Sequence, residues 1–349
     1  MRRDKALAIS GLSKHKYYYK PSKNKRGRKP TETTFLIQGS DVERVDNSVV
    51  IEEIKEIQRD PDTDYGHRKM TYALLLLGFI INHKKVYRLM KQHQQLKQKN
   101  RRHTREFVKY RKVLPSKPLE VLEMDIKFVW VEEHRMNAFI LTVIDTFTRV
   151  VLGRKTAYSL KQNAIKELWM EIIENHLQPN DCLKKTLNIE IRNDNDSRFI
   201  AKSVQKFFAE NKLHQVFTHP YTPQENGHIE SFHAILSERL NRITFWSLDD
   251  LEQCLILFYE KYNLHRIHSS TAYLPPMVFW ECWENGEIET RVDVRKKQIR
   301  HKLLRPYHEL SGKMSPREVP CHPFQSPKGF ELNEKNEMYG AETFLQPSV

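Results

Sequence analysis

Between residues 48 and 95 the apolar side chains recur every three to four positions, which is the spacing of helices with one buried face. The pattern predicts helices over residues 48–59, 67–77 and 83–95, with Asn82 as the N-cap of the last one. Three short helices with a tight turn before the last are typical of a helix-turn-helix. A small helical bundle with a solvated basic face is the alternative interpretation.

A different pattern begins at residue 119. Apolar runs and alternating apolar positions predict strands over residues 121–131, 138–144, 148–152, 187–191 and 215–218. Helical spacing predicts helices over residues 162–176, 203–211, 229–241 and 248–262. Three strands in succession, followed by helices that alternate with strands, indicate an α/β fold with a mixed five-stranded sheet and flanking helices.

The segments outside these two regions are more polar. Residues 1–20 have room for a short helical hairpin around Ser10 and Gly11, and residues 21–41 have the composition of a solvated basic linker. The predicted organisation is a basic arm and linker over residues 1–47, a helix-turn-helix domain over 48–98, a basic linker over 99–118, an α/β core over 119–285 and an unassigned tail over 286–349.

The charge of the chain is concentrated in its N-terminal third. The 349 residues include 58 Lys and Arg against 44 Asp and Glu, for a net charge of +14. Residues 1–118 hold 29 basic and 12 acidic residues, whereas residues 119–349 hold 29 and 32. A basic excess of this size favours nucleic acid as the partner, with an anionic membrane surface as the weaker option. The last helix of the helix-turn-helix would present four basic residues to the major groove: Lys84, Lys85, Arg88 and Lys91. A basic arm that only keeps the chain soluble is the alternative.

Composition argues against several other classes of protein. The longest apolar run, residues 73–81, is interrupted by Gly78 and is far shorter than the ~20 residues of a membrane span. The first twenty residues lack the apolar stretch of a signal peptide. The four cysteines are far apart and form no CxxC pair, which argues against a disulfide framework and a zinc ribbon. We therefore expect a cytoplasmic chain that does not cross a membrane.

Three carboxylates fall where metal-dependent chemistry would need them. Asp125 lies inside the first predicted core strand, Asp194 follows the fourth, and Glu230 lies in the first turn of a helix. Burying a mid-strand Asp is costly unless it is paired or bound to a metal. Oxygen ligands of this kind suit Mg²⁺ or Mn²⁺. Taken singly, each carboxylate is explained as well by a turn, a helix start or the surface.

The spacing favours a functional explanation for these carboxylates, because 35 residues separate Asp194 from Glu230. The combination resembles the DDE transposase and retroviral-type integrase group, and in particular the transposase encoded by the second reading frame of many bacterial insertion sequences. The resemblance extends over residues 5–283. The segments that carry it are 64–69, 82–90, the strand around Asp125, 192–195, 223–232, Tyr262–Asn263 with Arg266 and His268, and Pro275–Pro276.

The resemblance implies an RNase H-like core behind a small all-α helix-turn-helix domain. It also implies that Asp125, Asp194 and Glu230 bind two Mg²⁺ ions, with Mn²⁺ as a substitute. Water and then a DNA 3′-hydroxyl would attack phosphodiesters, without a covalent protein–DNA intermediate. The implied partners are double-stranded DNA, at element ends and target, and further copies of the chain in the DNA complex. The implied location is the bacterial cytoplasm, in association with the nucleoid.

Four positions depart from the family pattern. Asp196 replaces a Gly next to the expected metal site, where a left-handed backbone is expected. Ser237 replaces a basic residue that contacts DNA, so that Arg239 or Arg242 would have to substitute. Leu122 and Lys127 stand where the family usually has Trp and Thr.

These departures leave two alternatives open beside a cut-and-join transposase. The first is a catalytically impaired DNA-binding protein that uses the core as a scaffold, and the second is a nuclease that cleaves without joining. Two other candidate site residues are set aside, since Asp145 is better explained by a hairpin turn and Glu225 by a loop. His233 could face the site or DNA, but plain packing or exposure explains it equally well.

Overall fold

The computed structural model describes residues 3–19, 30–97, 113–180, 182, 189–219, 223–293 and 298–314. Numbered in chain order, the helices in these ranges are α1 Arg3–Ser10, α2 Lys14–Tyr18, α3 Asn47–Arg59, α4 His67–Leu76, α5 His83–Gln92, α6 Gln162–Ile172, α7 Ser197–Ile200, α8 Lys202–Glu210, α9 Gly227–Leu240, α10 Leu248–Leu264 and α11 Pro276–Glu284. The strands are β1 Thr33–Gln38, β2 Asp41–Asp46, β3 Phe79–Ile80, β4 Val121–Val131, β5 Met136–Asp145, β6 Val151–Ala157, β7 Ile189–Asn193, β8 Leu213–Phe217, β9 Ile288–Asp293 and β10 Gln298–Leu303.

The core is a mixed five-stranded sheet in the order β6-β5-β4-β7-β8. β4, β5 and β6 form an antiparallel meander, and β7 and β8 run parallel to β4. This confirms the predicted fold class, an RNase H-like sheet with flanking helices. The three-strand meander forms because β4 and β5 are joined by a short turn, whereas the parallel strands need crossover helices.

Each face of the sheet is covered by helices. On one face Met124 packs with Trp169 of α6 and Phe208 of α8. On the other face Ile140 and Phe232 belong to a cluster formed with α9 and α10. Because successive strand residues point to opposite faces, the odd-numbered residues of β4 face α9.

The predicted helix-turn-helix helices are present as α3, α4 and α5. Their apolar stripes bury Val50, Ile54, Met70 and Met90 against one another. The side chain of Asn82 accepts a hydrogen bond from the Lys85 backbone N–H at 2.9 Å and caps α5 as predicted.

The basic linker predicted over residues 21–41 is wrong from Thr33 onward. β1 and β2 form an antiparallel hairpin there, and β3 adds to the other edge of β1. Thr34 and Leu36 alternate inward and are buried. At the end of α4, Gly78 has φ +93°, and a Cβ atom there would lie 2.5 Å from the Ile37 carbonyl oxygen. Glycine therefore permits the close approach of the helix end to β1.

Two further predictions change. The third core strand begins at Val151 instead of residue 148, because Asp145–Thr148 forms a hydrogen-bonded turn in which the Asp145 carboxylate accepts from the Thr148 N–H at 2.8 Å. The unassigned tail contains an antiparallel hairpin, β9 and β10, whose Leu303 is buried. The predictions over residues 21–29, 99–112 and 315–349, and the start of the fourth strand at 187–188, lie outside the described residues. In the part of the chain that the structure describes, no helix is long and apolar enough to cross a membrane.

Candidate active site

Asp125 lies in the middle of β4, opposite Thr142 of β5. Its side chain is half-buried and points toward α9, where its Oδ2 atom lies 3.2 Å from the Nδ1 atom of His233. The His233 ring therefore faces Asp125, the position that the sequence left open beside plain packing or exposure.

Asp194 follows β7 directly and lies at the surface. In the parallel β4–β7 pair, Glu123 is level with Arg192, so residue 194 falls level with Asp125 when the register is extended by two residues. Partial loss of hydration raises the pKa of Asp194, and the negative charges of Asp125 and Asp196 raise it further. The negative charge of Asp125 thus disfavours ionisation of Asp194.

Glu230 is exposed in the first turn of α9. His233, which contacts Asp125, follows it by three residues, and side chains three apart are neighbours on one helix face. Glu230 therefore lies one turn from the contact between α9 and β4. Across the described ranges, however, no three His, Cys, Asp or Glu side chains converge closely enough to hold a metal ion.

Glu123 is a site residue that the sequence analysis did not single out. It is fully buried, and its Oε2 atom accepts hydrogen bonds from the backbone N–H groups of His228, at 3.0 Å, and Ile229, at 2.8 Å. Its Oε1 atom lies 2.7 Å from the His228 Nδ1 atom. Burial raises the pKa of Glu123 to about 7, while the Ile229 hydrogen bond and the positive charges of Arg149 and Arg192 oppose that rise. A second acidic residue two positions before Asp125, and therefore on the same face of the strand, was the available signal.

Asp196 does not adopt the left-handed backbone that the family pattern led us to expect. Its φ is −61°, and its side chain caps α7 by accepting from the Arg198 N–H at 2.9 Å. The Arg198 guanidinium also donates to both carboxylate oxygens of Asp196, at 2.8 and 2.6 Å. These bonds lower the pKa of Asp196, and the positive charge of Arg198 opposes the effect of Asp196 on the pKa of Asp194.

The other departures have separate surroundings. Ser237 donates to the His233 carbonyl oxygen at 2.6 Å within α9. Arg239 forms an ion pair with Asp62 at 3.3 Å, whereas Arg242 is exposed. Leu122 is buried in the core, and Lys127, on the α9 face of β4, is half-buried, which lowers its pKa.

The four basic residues of α5 divide into two pairs. Lys84 and Lys91 are exposed. The Lys85 ammonium donates to Thr33 O and Thr34 Oγ1, both at 2.7 Å, and Arg88 donates to the Thr31 carbonyl oxygen at 3.2 Å. Lys85 and Arg88 therefore bind the N-terminal segment of their own chain.

Comparison with known families agrees with this architecture. A family model described as an HTH-like domain matches residues 45–103, and two models described as integrase core domains match residues 115–223 and 211–276. The chain therefore carries an integrase core with an HTH-like domain ahead of it.

Insertion-element proteins are among its relatives. An uncharacterized 39.2 kDa protein of insertion element IS476 from Xanthomonas euvesicatoria is 27% identical over 218 residues, which are 62% of this chain and 60% of that protein. The putative transposase InsK of IS150 from Escherichia coli is 26% identical over 242 residues, covering 65% of this chain and 81% of InsK. The match therefore spans less than two thirds of the IS476 protein.

Solved structures with similar folds include two catalytic domains. The HTLV-2 integrase catalytic core in complex with magnesium is 14% identical with a TM-score of 0.34, over 46% of this chain and 94% of that one. The catalytic domain of Mos1 mariner transposase is 12% identical with a TM-score of 0.37, over 47% of this chain and 74% of that one.

Proposed function

We propose that the chain is a DNA transposase that cleaves phosphodiesters at the ends of a mobile element and joins the resulting 3′-hydroxyls to target DNA. The observation that carries the proposal is the parallel pairing of β4 with β7 at the centre of the sheet, whose register, extended by two residues, puts Asp194 level with Asp125. Attack on a phosphodiester requires groups that offset negative charge and activate an oxygen nucleophile, and two carboxylates on neighbouring strands are suited to bind the cations that do so.

The chemistry of these side chains fits divalent cations. Asp125 and Asp194 carry like charges on neighbouring elements of one sheet, and a shared cation would relieve the repulsion between them. Carboxylate oxygens are preferred ligands of Mg²⁺ and Mn²⁺. We propose that Asp125, Asp194 and Glu230 together hold two Mg²⁺ ions. Glu230 is exposed in the first turn of α9, the helix that contacts β4. The bound ions would supply Lewis-acid assistance to the attacking and leaving oxygens.

The proposed function also requires that the chain binds DNA and assembles with further copies of itself. We propose that Lys84 and Lys91 contact phosphates of double-stranded DNA, because both are exposed on α5. The same complex would contain more than one copy of the chain, since two element ends have to be joined to one target.

The test is an assay of the purified chain with labelled element-end DNA and Mg²⁺. We expect 3′-end nicking and strand-transfer products from the wild type. Asp194→Asn should reduce both to background and leave DNA binding intact, because it removes a charged ligand without changing side-chain size. Asp249→Asn, at an exposed carboxylate in the first turn of α10, is the matched control and should retain activity.

A catalytically impaired DNA-binding protein is the second candidate. Position 237 holds Ser in place of a DNA-contacting basic residue, and Arg239 was one expected substitute. The Arg239 guanidinium is instead paired with Asp62, which favours this second candidate. Binding without cleavage in Mg²⁺ or Mn²⁺ would replace the transposase proposal with this one. Cleavage without joined products would indicate a nuclease instead.

A further inference from the structure

We infer that Glu123 is a positioning residue that fixes α9 against β4 and thereby fixes the position of Glu230, one helical turn from the contact between His233 and Asp125. The effect of Glu123 on catalysis rests on the proposed function, whereas the contact between α9 and β4 is a property of the fold. Its basis is a hydrogen-bonded contact between two elements that are 105 residues apart in the chain.

Glu123 provides the N-terminal cap of α9 from another element. The first backbone N–H groups of a helix have no partner within the helix, and a side chain just before the helix usually accepts from one of them. Asn226 occupies that position in α9 but makes no capping hydrogen bond. The Glu123 carboxylate takes this role by accepting from the N–H groups of His228 and Ile229, with its negative charge at the positive end of the helix dipole.

A second contact lies farther along the same two elements. Glu123 and Asp125 are two residues apart in β4, so their side chains leave the same face of the sheet about 6.8 Å apart along the strand. Their contacts on α9, at His228–Ile229 and at His233, are four to five residues apart, or about 6–7.5 Å along the helix axis. The two spacings match, so both contacts form without distortion, and Glu230 lies between them.

Stability alone does not account for a carboxylate at this position. A fully buried carboxylate loses its hydration, and an apolar residue of similar size would often serve packing equally well. The carboxylate also fixes the distance between β4 and the start of α9, because one oxygen binds two consecutive N–H groups and the other binds the His228 ring.

Two substitutions test the position and the charge of the Glu123 carboxylate separately. In Glu123→Asp the carboxylate is one methylene shorter, so α9 must shift by about 1 Å to keep its hydrogen bonds, and a misplacement of that size can lower a catalytic rate about 100-fold. In Glu123→Gln the amide oxygen still accepts from both backbone N–H groups, and the amide nitrogen donates to the other tautomer of His228. We therefore expect Glu123→Gln to rescue the rate to within about tenfold of the wild type.

The full-length chain is tested with three measurements besides circular dichroism, which checks the fold. Mn²⁺ binding, followed by electron paramagnetic resonance without DNA, should weaken in Glu123→Asp and be retained in Glu123→Gln. Amide hydrogen exchange at residues 228 and 229 should be slow in the wild type and in Glu123→Gln. DNA binding through the helix-turn-helix domain should be equal in all three proteins.

Each variant can overturn the inference independently. If Glu123→Asp folds and both binds Mn²⁺ and cleaves like the wild type, Glu123 is only a helix cap. If Glu123→Gln keeps slow exchange at residues 228 and 229 but loses Mn²⁺ binding, the charge matters and the position does not. A wild type that binds Mn²⁺ but never cleaves would instead contradict the proposed function and leave the docking result standing.

Discussion

At the scale of single residues, His176 is a neutral histidine enclosed by the core. It follows α6, its Nε2–H donates to the Leu152 carbonyl oxygen at 3.1 Å, and burial lowers its pKa to about 4. In the unfolded chain His176 takes up a proton near pH 6.5, whereas in the folded chain it does not do so until about pH 4. The stability that depends on neutral His176 is therefore present above pH 6.5 and is lost as the pH falls toward 4.

We predict that the free energy of unfolding falls between pH 7 and pH 5, with about 2 kcal/mol of the loss due to His176. Urea unfolding at both pH values measures the loss. His301, whose pKa burial also lowers to about 4, adds a loss of the same sign. His176→Gln keeps a donor for Leu152 and should therefore reduce the pH dependence only in part. An unchanged pH dependence in this variant would contradict the assignment.

At the scale of one element, α5 has an exposed basic face and a face that binds its own chain. We predict that Lys84→Ala and Lys91→Ala each weaken DNA binding at every sequence and reduce the slope of log K against log salt concentration by about 1. Fluorescence anisotropy over a roughly sixfold range of salt concentration measures the slope.

Lys85→Ala is the matched control on the same helix. Because the Lys85 ammonium is bound to Thr33 and Thr34, its loss should destabilise the β1–β2 hairpin and leave the salt slope nearly unchanged. A reduced slope in Lys85→Ala, equal to that of Lys84→Ala, would show that the N-terminal segment releases α5 when DNA binds.

Elements also differ in how well the sequence predicts them. The helices α3 to α5 follow a strong 3.6-residue period, so their positions were predicted to within a few residues. The β1–β2 hairpin was missed because only Thr34 and Leu36 are buried in β1 and the pairing with β3 spans two residues. β6 was misplaced because the side chain of Asp145 extends the preceding turn through hydrogen bonds that periodicity does not reveal.

The candidate site shows the same division. The sequence places Asp125 and Asp194 on strands of one sheet, and the parallel pairing of β4 with β7 brings them level. The contact of Glu123 with the start of α9 joins segments 105 residues apart and has no periodic signature. Likewise, no local pattern shows that Arg239 pairs with Asp62 of the helix-turn-helix domain.

At the scale of the whole molecule, the helix-turn-helix domain is packed against the core. Met70 and Leu74 of α4 share one buried cluster with Leu274 and Phe279. The Ile267 N–H donates to the Tyr65 hydroxyl at 2.9 Å across the same contact. A continuous apolar cluster couples the unfolding of the parts that it joins, so the described parts of both regions should unfold in one transition.

Tyr72 of α4 is the residue with which to test this coupling. Its ring stacks on Tyr273 with centroids 3.8 Å apart and meets Tyr307 edge-on at 5.0 Å. We predict that Tyr72→Ala lowers the free energy of unfolding by about 2 kcal/mol and, because the two regions unfold together, speeds amide exchange in α4 and in β4 to a similar extent. Tyr72→Phe keeps the ring and should behave like the wild type in both measurements. If Tyr72→Ala instead accelerates exchange in α4 and leaves β4 unchanged, the helix-turn-helix region opens separately from the core, and the two regions do not unfold in one transition.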